Sequence, residues 1–580
     1  MNDIRRSILW VIFGFSMVLL WDQWQIHNGR PPMFGLGTKP AVTAASGPQG
    51  AASGSQAPAS STGTATSTAA AVPGGPATAT PVSKPAERFT VDTDLMRLTF
   101  STEGGTLVRN ELLKIAADSS SDKVTSTFVL LQDSPERVYI VQSGLTGGDF
   151  PNHTTVMTPS GDRQLKDGAN ELNVRFESPE KNGVKLVKTY TLKRGHYDVG
   201  VKHEVVNTSG APVSPRVYFQ ILRDAKDASS GSSFYSTFTG PAVYTEEGKY
   251  HTVKFEDIEK NKAEIQKTSS LGWVAMVQHY FTTAWILPQG VQRDLFVTTV
   301  PNVQQPALSP HLYAVGMIAP LDGVAPGASK AVDATLFSGP QEEKTLAAVG
   351  PELDRVKDYG HFYIIAKPLY WLLDKIHGVI GNWGWSIMVL VLIIKIAFYW
   401  LQAKGYESMA RMKAINPRVM QLRERYKDNP QQMQQEMMRI YKEEKVNPLG
   451  GCLPIVVQIP VFIALYWVLL STVEMRNAPW IGWIRDLAAP DPYFILPFVM
   501  TLTTLLQTAL NPAPPDPMQA KMMWIMPLAF SVMFFFFPAG LVLYWITNNV
   551  LSIAQQWLIN YRMGVPPQFN LPKFGKAESK

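Results

Sequence analysis

The sequence has little or none of several features that many protein classes require. It contains a single cysteine, Cys452, in an apolar segment that favours a buried packing role, so no intrachain disulfide can form. It contains no His-Glu-x-x-His, Gly-x-Ser-x-Gly or P-loop pattern, and its nine histidines are scattered outside the long apolar runs. We therefore predict no catalytic residue, no metal site and no cofactor, which argues against an enzyme.

Large apolar side chains are almost absent from residues 41–80, where Ala, Ser, Thr, Gly and Pro occupy all but four positions. Such a composition cannot offset the entropy of ordering, so residues 25–85 are predicted to be a flexible linker. The preceding residues 1–24 contain Arg5-Arg6 and an apolar run without a small-residue cleavage site. They are predicted to be an uncleaved membrane anchor with a cytoplasmic N-terminus.

Helical periodicity is weak through residues 86–345, and short apolar runs alternate with turn signals instead. Glu103-Gly104-Gly105 and Glu180-Lys181-Asn182-Gly183 each separate two such runs. This pattern predicts a large all-β sandwich, which lies on the side opposite the cytoplasm because it follows the anchor. Residues 346–382 are predicted to hold an amphipathic helix at the membrane interface, because apolar positions recur at spacings of three and four from Phe362 to Val379, with aromatic residues among them. An ordinary helix packed on the β domain is the alternative.

Five long apolar runs follow within residues 383–561, and they predict an α-helical polytopic membrane protein. With the anchor they make six spans; the five are 383–401, 451–473, 493–511, 522–540 and 541–561. Basic residues exceed acidic ones in the loop 402–450 and in the tail 562–580, which places both, and so both termini, in the cytoplasm. This topology explains the net charge of +6, so sequence-specific nucleic-acid binding is not predicted.

The cytoplasmic residues 402–446 carry two apolar stripes at helical spacing, separated by the turn signal Lys427-Asp428-Asn429-Pro430. They predict a helical hairpin with charged outer faces. A simple connector is the alternative, although almost fifty residues is long for one.

Charged residues are absent from the four later spans, so Lys395 in the first of the five runs has no acidic counterpart within them. A lone buried cation needs water or polar groups around it. Polar residues of the spans provide such groups and predict a hydrated groove open to the cytoplasm: Gln458, Thr503, Thr504, Gln507, Thr547, Asn548, Asn549, Gln555 and Gln556. Taken singly, each of these is more typical of bonding between helices.

Several motifs of the C-terminal half resemble the YidC/Oxa membrane protein insertase family. They are Val446-Asn447-Pro448-Leu449-Gly450-Gly451-Cys452-Leu453-Pro454, Gln458-Ile459-Pro460-Val461-Phe462, Asp516-Pro517-Met518-Gln519 and the run from Phe537 to Trp545. The whole arrangement is similar to the long Gram-negative form of the family.

The resemblance implies a non-enzymatic inner-membrane insertase and chaperone with a groove that contains a positive residue. That residue is usually Arg, and Lys395 matches its position, while Val391 stands where a polar residue is common. The groove would be lined by Lys395, Gln458, Gln507, Tyr544, Trp545 and Asn548, and client proteins would contact Ile459, Pro460, Phe462 and Met500. The implied partners are nascent membrane proteins, the Sec translocon with its accessory subunits, the ribosome, targeting factors and membrane lipids.

Two other functions make different predictions. A secondary transporter would carry paired intramembrane charges and inverted repeats, and the sequence shows neither. A sugar-binding β domain is suggested by the family's likeness to sugar-processing folds, but a fold by itself does not establish an activity.

Overall fold

The computed structural model describes residues 86–117, 126–226, 237–302, 308–426, 429–444, 453–511, 517–562 and 569. The predicted anchor 1–24 and linker 25–85 lie outside the described residues. So do the turn residues 427–428, the motif residues 445–452 and, apart from residues 562 and 569, the predicted tail.

The N-terminal half is built from two nine-stranded antiparallel sheets. The first has the order β1-β2-β3-β4-β5-β10-β17-β16-β13 and the second β12-β11-β14-β15-β18-β9-β8-β7-β6. The strands are β1 Arg88–Asp92, β2 Met96–Ser101, β3 Thr106–Ala116, β4 Thr127–Ser134, β5 Arg137–Thr146, β6 Thr158–Gly161, β7 Glu171–Glu177, β8 Val184–Lys193, β9 Asp198–Asn207, β10 Arg216–Arg223, β11 Gly240–Thr245, β12 Lys249–Thr252, β13 Thr268–Ser269, β14 Gly272–Val277, β15 Phe281–Ile286, β16 Arg293–Pro301, β17 His311–Pro320 and β18 Ser329–Pro340.

The prediction of an all-β domain is confirmed, and both turn signals connect antiparallel neighbours. Asn182 and Gly183 adopt positive φ angles of 51° and 70° between β7 and β8, which explains the choice of residues there. Exposed and buried positions alternate along β7, because only one face of that strand meets the core. In contrast, every residue of β14 and β15 is buried. One apolar core lies between the two sheets and draws residues from both.

The C-terminal half is helical. The short helix α1, Phe255–Glu259, belongs to the β domain. The later helices are α2 Glu343–Val349, α3 Tyr363–Ile380, α4 Trp383–Ala397, α5 Tyr399–Arg425, α6 Pro430–Glu443, α7 Leu453–Ser471, α8 Ile495–Leu510, α9 Pro517–Met533 and α10 Ala539–Arg562. Four 3-10 turns complete it: Leu353–Val356, Gly360–Phe362, Val473–Met475 and Phe534–Phe536.

The region predicted as one interfacial helix has two parts. Leu346, Leu353 and Val356 are buried in the core of the β domain, so residues up to about 356 pack with the sheets. The separate helix is α3, which buries Ala366 and Leu373 and exposes Ile364 and Val379. This helix therefore begins next to Phe362, where the periodic apolar pattern starts, and not at residue 346, where the predicted segment begins.

The length and the apolarity of the described helices bear on the predicted spans. Among the described residues, no individual helix has both the length and the apolarity needed to cross a membrane; α4 together with residues 399–408 meets that test as a pair, with a 65° bend between them. The predicted span 383–401 is therefore broken at Phe398. The six spans remain a prediction.

The segment predicted to be cytoplasmic contains two helices, α5 and α6. Ile415 and Val419 of α5 are buried, and Arg418 forms an ion pair with Glu444 beyond the end of α6. Asn429 begins α6 by accepting a hydrogen bond from the Gln432 N–H.

Candidate functional site

Lys395 lies in the last turn of α4, just before the bend. Its side chain is buried, with 9% of the residue exposed, and its Nζ donates to Ser552 Oγ across 2.7 Å. Ser552 Oγ in turn donates to the Asn548 carbonyl at 2.7 Å, so its lone pairs are free to accept from the lysine. Within the described chain no carboxylate is paired with Lys395. A buried ammonium bonded to a neutral hydroxyl is incompletely compensated for its lost hydration.

The buried face of α10 changes character halfway along the helix. Residues 539–544 are buried and mainly apolar, and they belong to the core that α4, α7 and α8 share. The later buried residues are almost all polar: Thr547, Asn549, Ser552, Gln555, Gln556 and the apolar Ile559. One half of the helical core is therefore apolar, and the other half, which contains Lys395, is polar.

Some of these polar groups bond helix to helix. Asn549 Nδ2 donates to Thr503 Oγ1 at 3.2 Å and to Thr504 Oγ1 at 2.9 Å, which holds α10 against α8. Gln556 Nε2 donates to the Leu510 carbonyl at 3.3 Å. The structure therefore supports the alternative that these residues bond one helix to another.

Other polar groups in the same half lack protein partners. Both amide atoms of Gln555 and the Oε1 atom of Gln402 are buried without a hydrogen bond in the described part of the protein. Gln402 Nε2 does donate to Gln458 Oε1 at 3.3 Å, and Gln458 also interacts with the Tyr544 hydroxyl. Buried polar atoms without protein partners are normally satisfied by water or ligand.

The aromatic residues predicted to meet clients form a cluster beside this region. The ring of Phe462 lies 4.7 Å from that of Trp545 and 5.8 Å from that of Tyr544, centroid to centroid. Trp545 also contacts Phe534 at 5.0 Å. Pro460 is half-buried inside α7.

The predicted site residues differ in how accessible they are. Ile459 is 47% exposed, whereas Met500 is 1% exposed and belongs to the apolar core. Gln507 and Asn548 are half-buried, on α8 and α10. Thus Gln458 meets Tyr544, next to Trp545, in the first half of α10, and Lys395 bonds to Ser552, one turn after Asn548, in the second half. Met500 is a packing residue in this structure.

Two residues at the site were missed by the sequence analysis, Ser552 and Gln402. Ser552 follows Asn548 by one helical turn, so a search for polar residues on one face of α10 would have found it. Gln402 lay just past the end of the predicted span, and the bend at Phe398 is what turns it inward. No cluster of three or more His, Cys, Asp or Glu residues among those described is placed to hold a metal ion.

Comparison with known proteins assigns both halves of the chain. Residues 88–372 match the family described as YidC periplasmic domain, and residues 375–565 match the family described as 60Kd inner membrane protein. A membrane protein insertase YidC from Cupriavidus necator is 52% identical over 568 residues, covering 97% of this chain and 98% of the relative.

Two solved structures were also compared. A crystal structure of an active YidC insertase covers 81% of this chain and 92% of its own, at 18% identity and a TM-score of 0.38. A galactose mutarotase related enzyme from Lactobacillus acidophilus covers 43% of this chain and 97% of its own, at 8% identity and a TM-score of 0.29. The family assignment rests on the sequence matches, which span nearly the whole chain and concern an insertase of the inner membrane with a periplasmic domain, not an enzyme. The chain therefore belongs to the YidC family of membrane protein insertases.

Proposed function

We propose that this insertase passes the polar tail of a nascent membrane protein through the polar half of its helical core, where Lys395 lies. The observation that carries this proposal is the buried Lys395 ammonium, which bonds to the neutral Ser552 hydroxyl. About one turn later on the same helix lies Gln555, whose buried amide has no hydrogen-bond partner among the described residues. Such a region holds water, and water with a fixed positive charge lowers the free energy needed to bring an acidic tail into the membrane.

The apolar segment of the client follows a different route. Ile459 and the half-buried Pro460 and Phe462 form one side of α7, and the exposed fraction of Ile459 supports contact with lipid or client. A transmembrane segment that slides along this side into lipid gains about 0.8 kcal/mol for each methylene that leaves water. Tyr544 and Trp545 would border the polar region. Asn548, one turn later on α10, and Gln507 on α8 would line it. Met500 would act on this side through packing, because its side chain is covered.

The proposal includes a topology and a set of partners. Six spans with both termini in the cytoplasm would place the polar half of the core and the hairpin 402–446 on the cytoplasmic side, as the loop charges indicate. The hairpin and the basic tail 562–580 would meet the ribosome and targeting factors. The helices would meet lipids and, for some clients, the Sec translocon. Cysteine labelling from each side of the membrane, with site-directed cross-linking to the translocon, tests these assignments.

The groove charge can be tested by insertion assays in proteoliposomes. Clients with acidic translocated tails are compared with the same clients carrying neutral tails. We expect Lys395→Arg to retain insertion, because the charge is kept, and Lys395→Ala or Lys395→Glu to slow the acidic clients several-fold.

Lys521→Ala is the matched control, since Lys521 is an exposed lysine of α9. Equal rates for Lys395→Ala and the unaltered protein with acidic clients would refute the role of the charge.

A further inference from the structure

Residues 473–494, which connect α7 to α8, form a folded element that we call the capping segment. It is closed on itself, because the Trp480 N–H donates to the Ile484 carbonyl at 3.0 Å and the Leu487 N–H donates to the Ala478 carbonyl at 3.1 Å. Met475, Ile484 and Leu487 are buried in the apolar core of the helices. The segment is therefore part of the packed structure, although it lies outside the helices.

The capping segment is also bonded to the first turns of three helices. At α4, Asn382 Nδ2 donates to the Trp480 carbonyl at 3.1 Å. At α10, the Gly540 N–H donates to the Leu487 carbonyl at 2.9 Å. At α8, the Leu496 N–H donates to the Asp491 carboxylate at 2.7 Å. At Gly384 a Cβ atom would lie only 2.2 Å from the Trp480 ring, so the fit leaves no room for a side chain. The segment thus covers the end of the core that is opposite Lys395.

One side chain of the capping segment reaches into the β domain. Arg476 Nη2 donates to the carbonyls of Ala116 and Ala117, each at 3.0 Å. Its guanidinium carbon also lies 5.0 Å from the ring centroid of Phe128 and 5.6 Å from that of Phe281. These two rings stack on each other at 4.1 Å, which makes a fixed platform for the cation. Because Arg476 touches the periplasmic domain, the capping segment lies on the periplasmic side.

We propose that Arg476 is a positioning residue that docks the capping segment on the β domain and thereby keeps the periplasmic end of the helical core closed. The β domain would then contribute to insertion by stabilising this closure. The proposal goes beyond the groove, because it concerns the opposite end of the core and does not depend on the charge of Lys395.

The geometry gives a physical reason for such a role. Both carbonyls that accept from Arg476 lie at the end of β3, a strand held on both sides by its neighbours in the first sheet. A second contact lies nearby, where His279 Nε2 donates to the Leu470 carbonyl at 3.0 Å near the end of α7. Leu470 belongs to α7, which leads into the capping segment, so His279 holds the chain just before the segment and Arg476 holds it within the segment. The capping segment therefore cannot lift from the helix ends without breaking the charge-assisted hydrogen bonds of Arg476.

A labelling experiment on the full-length protein tests the proposal. Val542 is fully buried in the first turn of α10, two residues after Gly540, which bonds to the capping segment. The change Val542→Cys preserves the size of this side chain closely. In a Cys452→Ser background, a membrane-impermeant maleimide is added from the periplasmic side of spheroplasts. We expect slow labelling with Arg476 present, a several-fold increase in rate with Arg476→Ala, and an intermediate rate with Arg476→Lys, which keeps the charge but loses the planar fork.

Three controls make the result decisive. Arg485→Ala removes an exposed arginine from the same segment and should leave the rate unchanged. Thr208→Cys, on the surface of the β domain, reports full labelling. Phe128→Ala removes part of the docking platform from the β-domain side and should raise the rate in the same direction, which keeps the test valid if Arg476→Ala fails to accumulate.

The proposal is overturned if neither Arg476→Ala nor Phe128→Ala raises the labelling rate of Val542→Cys. It is also overturned if Arg485→Ala raises that rate as much as Arg476→Ala. Insertion assays on the Lys395 variants are separate, so a failure of the groove proposal would leave this result interpretable.

Discussion

Lys357 and Glu474 form an ion pair at 3.5 Å in which the lysine side chain is entirely buried. The Lys357 ammonium lies 3.9 Å from the centroid of the Tyr370 ring, and the Tyr370 hydroxyl donates to Glu474 at 2.6 Å. Burial lowers the pKa of Lys357, against the raising effect of Glu474. Three elements meet at this pair: the chain that leaves the β domain, α3 and the capping segment.

The first prediction concerns this ion pair. Lys357→Met should lower the free energy of unfolding by roughly 3 kcal/mol, because it leaves Glu474 in a largely buried site without its cation. The double variant Lys357→Met/Glu474→Gln should recover much of that loss, since it removes both charges. Thermal unfolding of the full chain in detergent measures both. Equal stability of the single and double variants would contradict the account.

The second prediction separates two adjacent glutamines of α10. Gln555→Leu should leave stability unchanged or raised, because neither of its amide atoms bonds to a described protein group, and should slow the insertion of clients with charged tails by removing hydration. Gln556→Leu is the matched variant and should lose about 1 kcal/mol of stability with its bond to the Leu510 carbonyl. Insertion rates and unfolding are measured on the same preparations. If Gln555→Leu left insertion of charged tails at the normal rate, a hydrated path at this position would be ruled out.

The third prediction is that acid lowers the stability of the β domain. Burial lowers the pKa of His153 and of His279 to about 4, and it lowers the pKa of His203 well below its usual value. Between pH 6.5 and about 4 the unfolded chain binds more protons than the folded one, so the free energy of unfolding falls as the pH falls. Each histidine contributes up to about 1.4 kcal/mol per pH unit in that window.

This sensitivity is measured as the pH dependence of protease resistance of the β domain in the full chain. His153→Gln should reduce the slope of the unfolding free energy against pH by the contribution of one histidine. His251→Gln, at an exposed position, should leave the slope unchanged. A slope that His153→Gln did not alter would show that another group controls the transition.

The fourth prediction concerns α5 and α6, the two helices of the segment that the loop charges predict to be cytoplasmic. Val419→Asp should unfold the hairpin and abolish insertion, because Val419 is buried and a carboxylate there would have no partner from the apolar stripe. Arg425→Ala and Lys442→Ala change exposed charges and should weaken binding to ribosomes without changing stability. Co-sedimentation with ribosomes and insertion rates are the measurements. Normal insertion after deletion of residues 402–446 would show that the hairpin is not needed to receive client proteins.

The sequence by itself determined the features that depend on short stretches of chain. Alternating strands and glycine-containing turns indicated the all-β domain, because side-chain period and positive φ angles are local properties. The lone cation Lys395 and the family motifs were also visible, since they need only composition and order. The match of 52% identity with a curated insertase agrees with that reading.

Only the tertiary structure decided which residues meet. It paired Lys395 with Ser552. It also distinguished two amide side chains of α10 that look alike in the sequence: Asn549 bonds to α8, whereas Gln555 has no hydrogen-bond partner among the residues that the structure describes. It also joined Arg476 to Ala116, which lies 360 positions earlier. Such contacts depend on how separate elements dock and on bends such as the one at Phe398, and neither is encoded in the periodicity of a single segment.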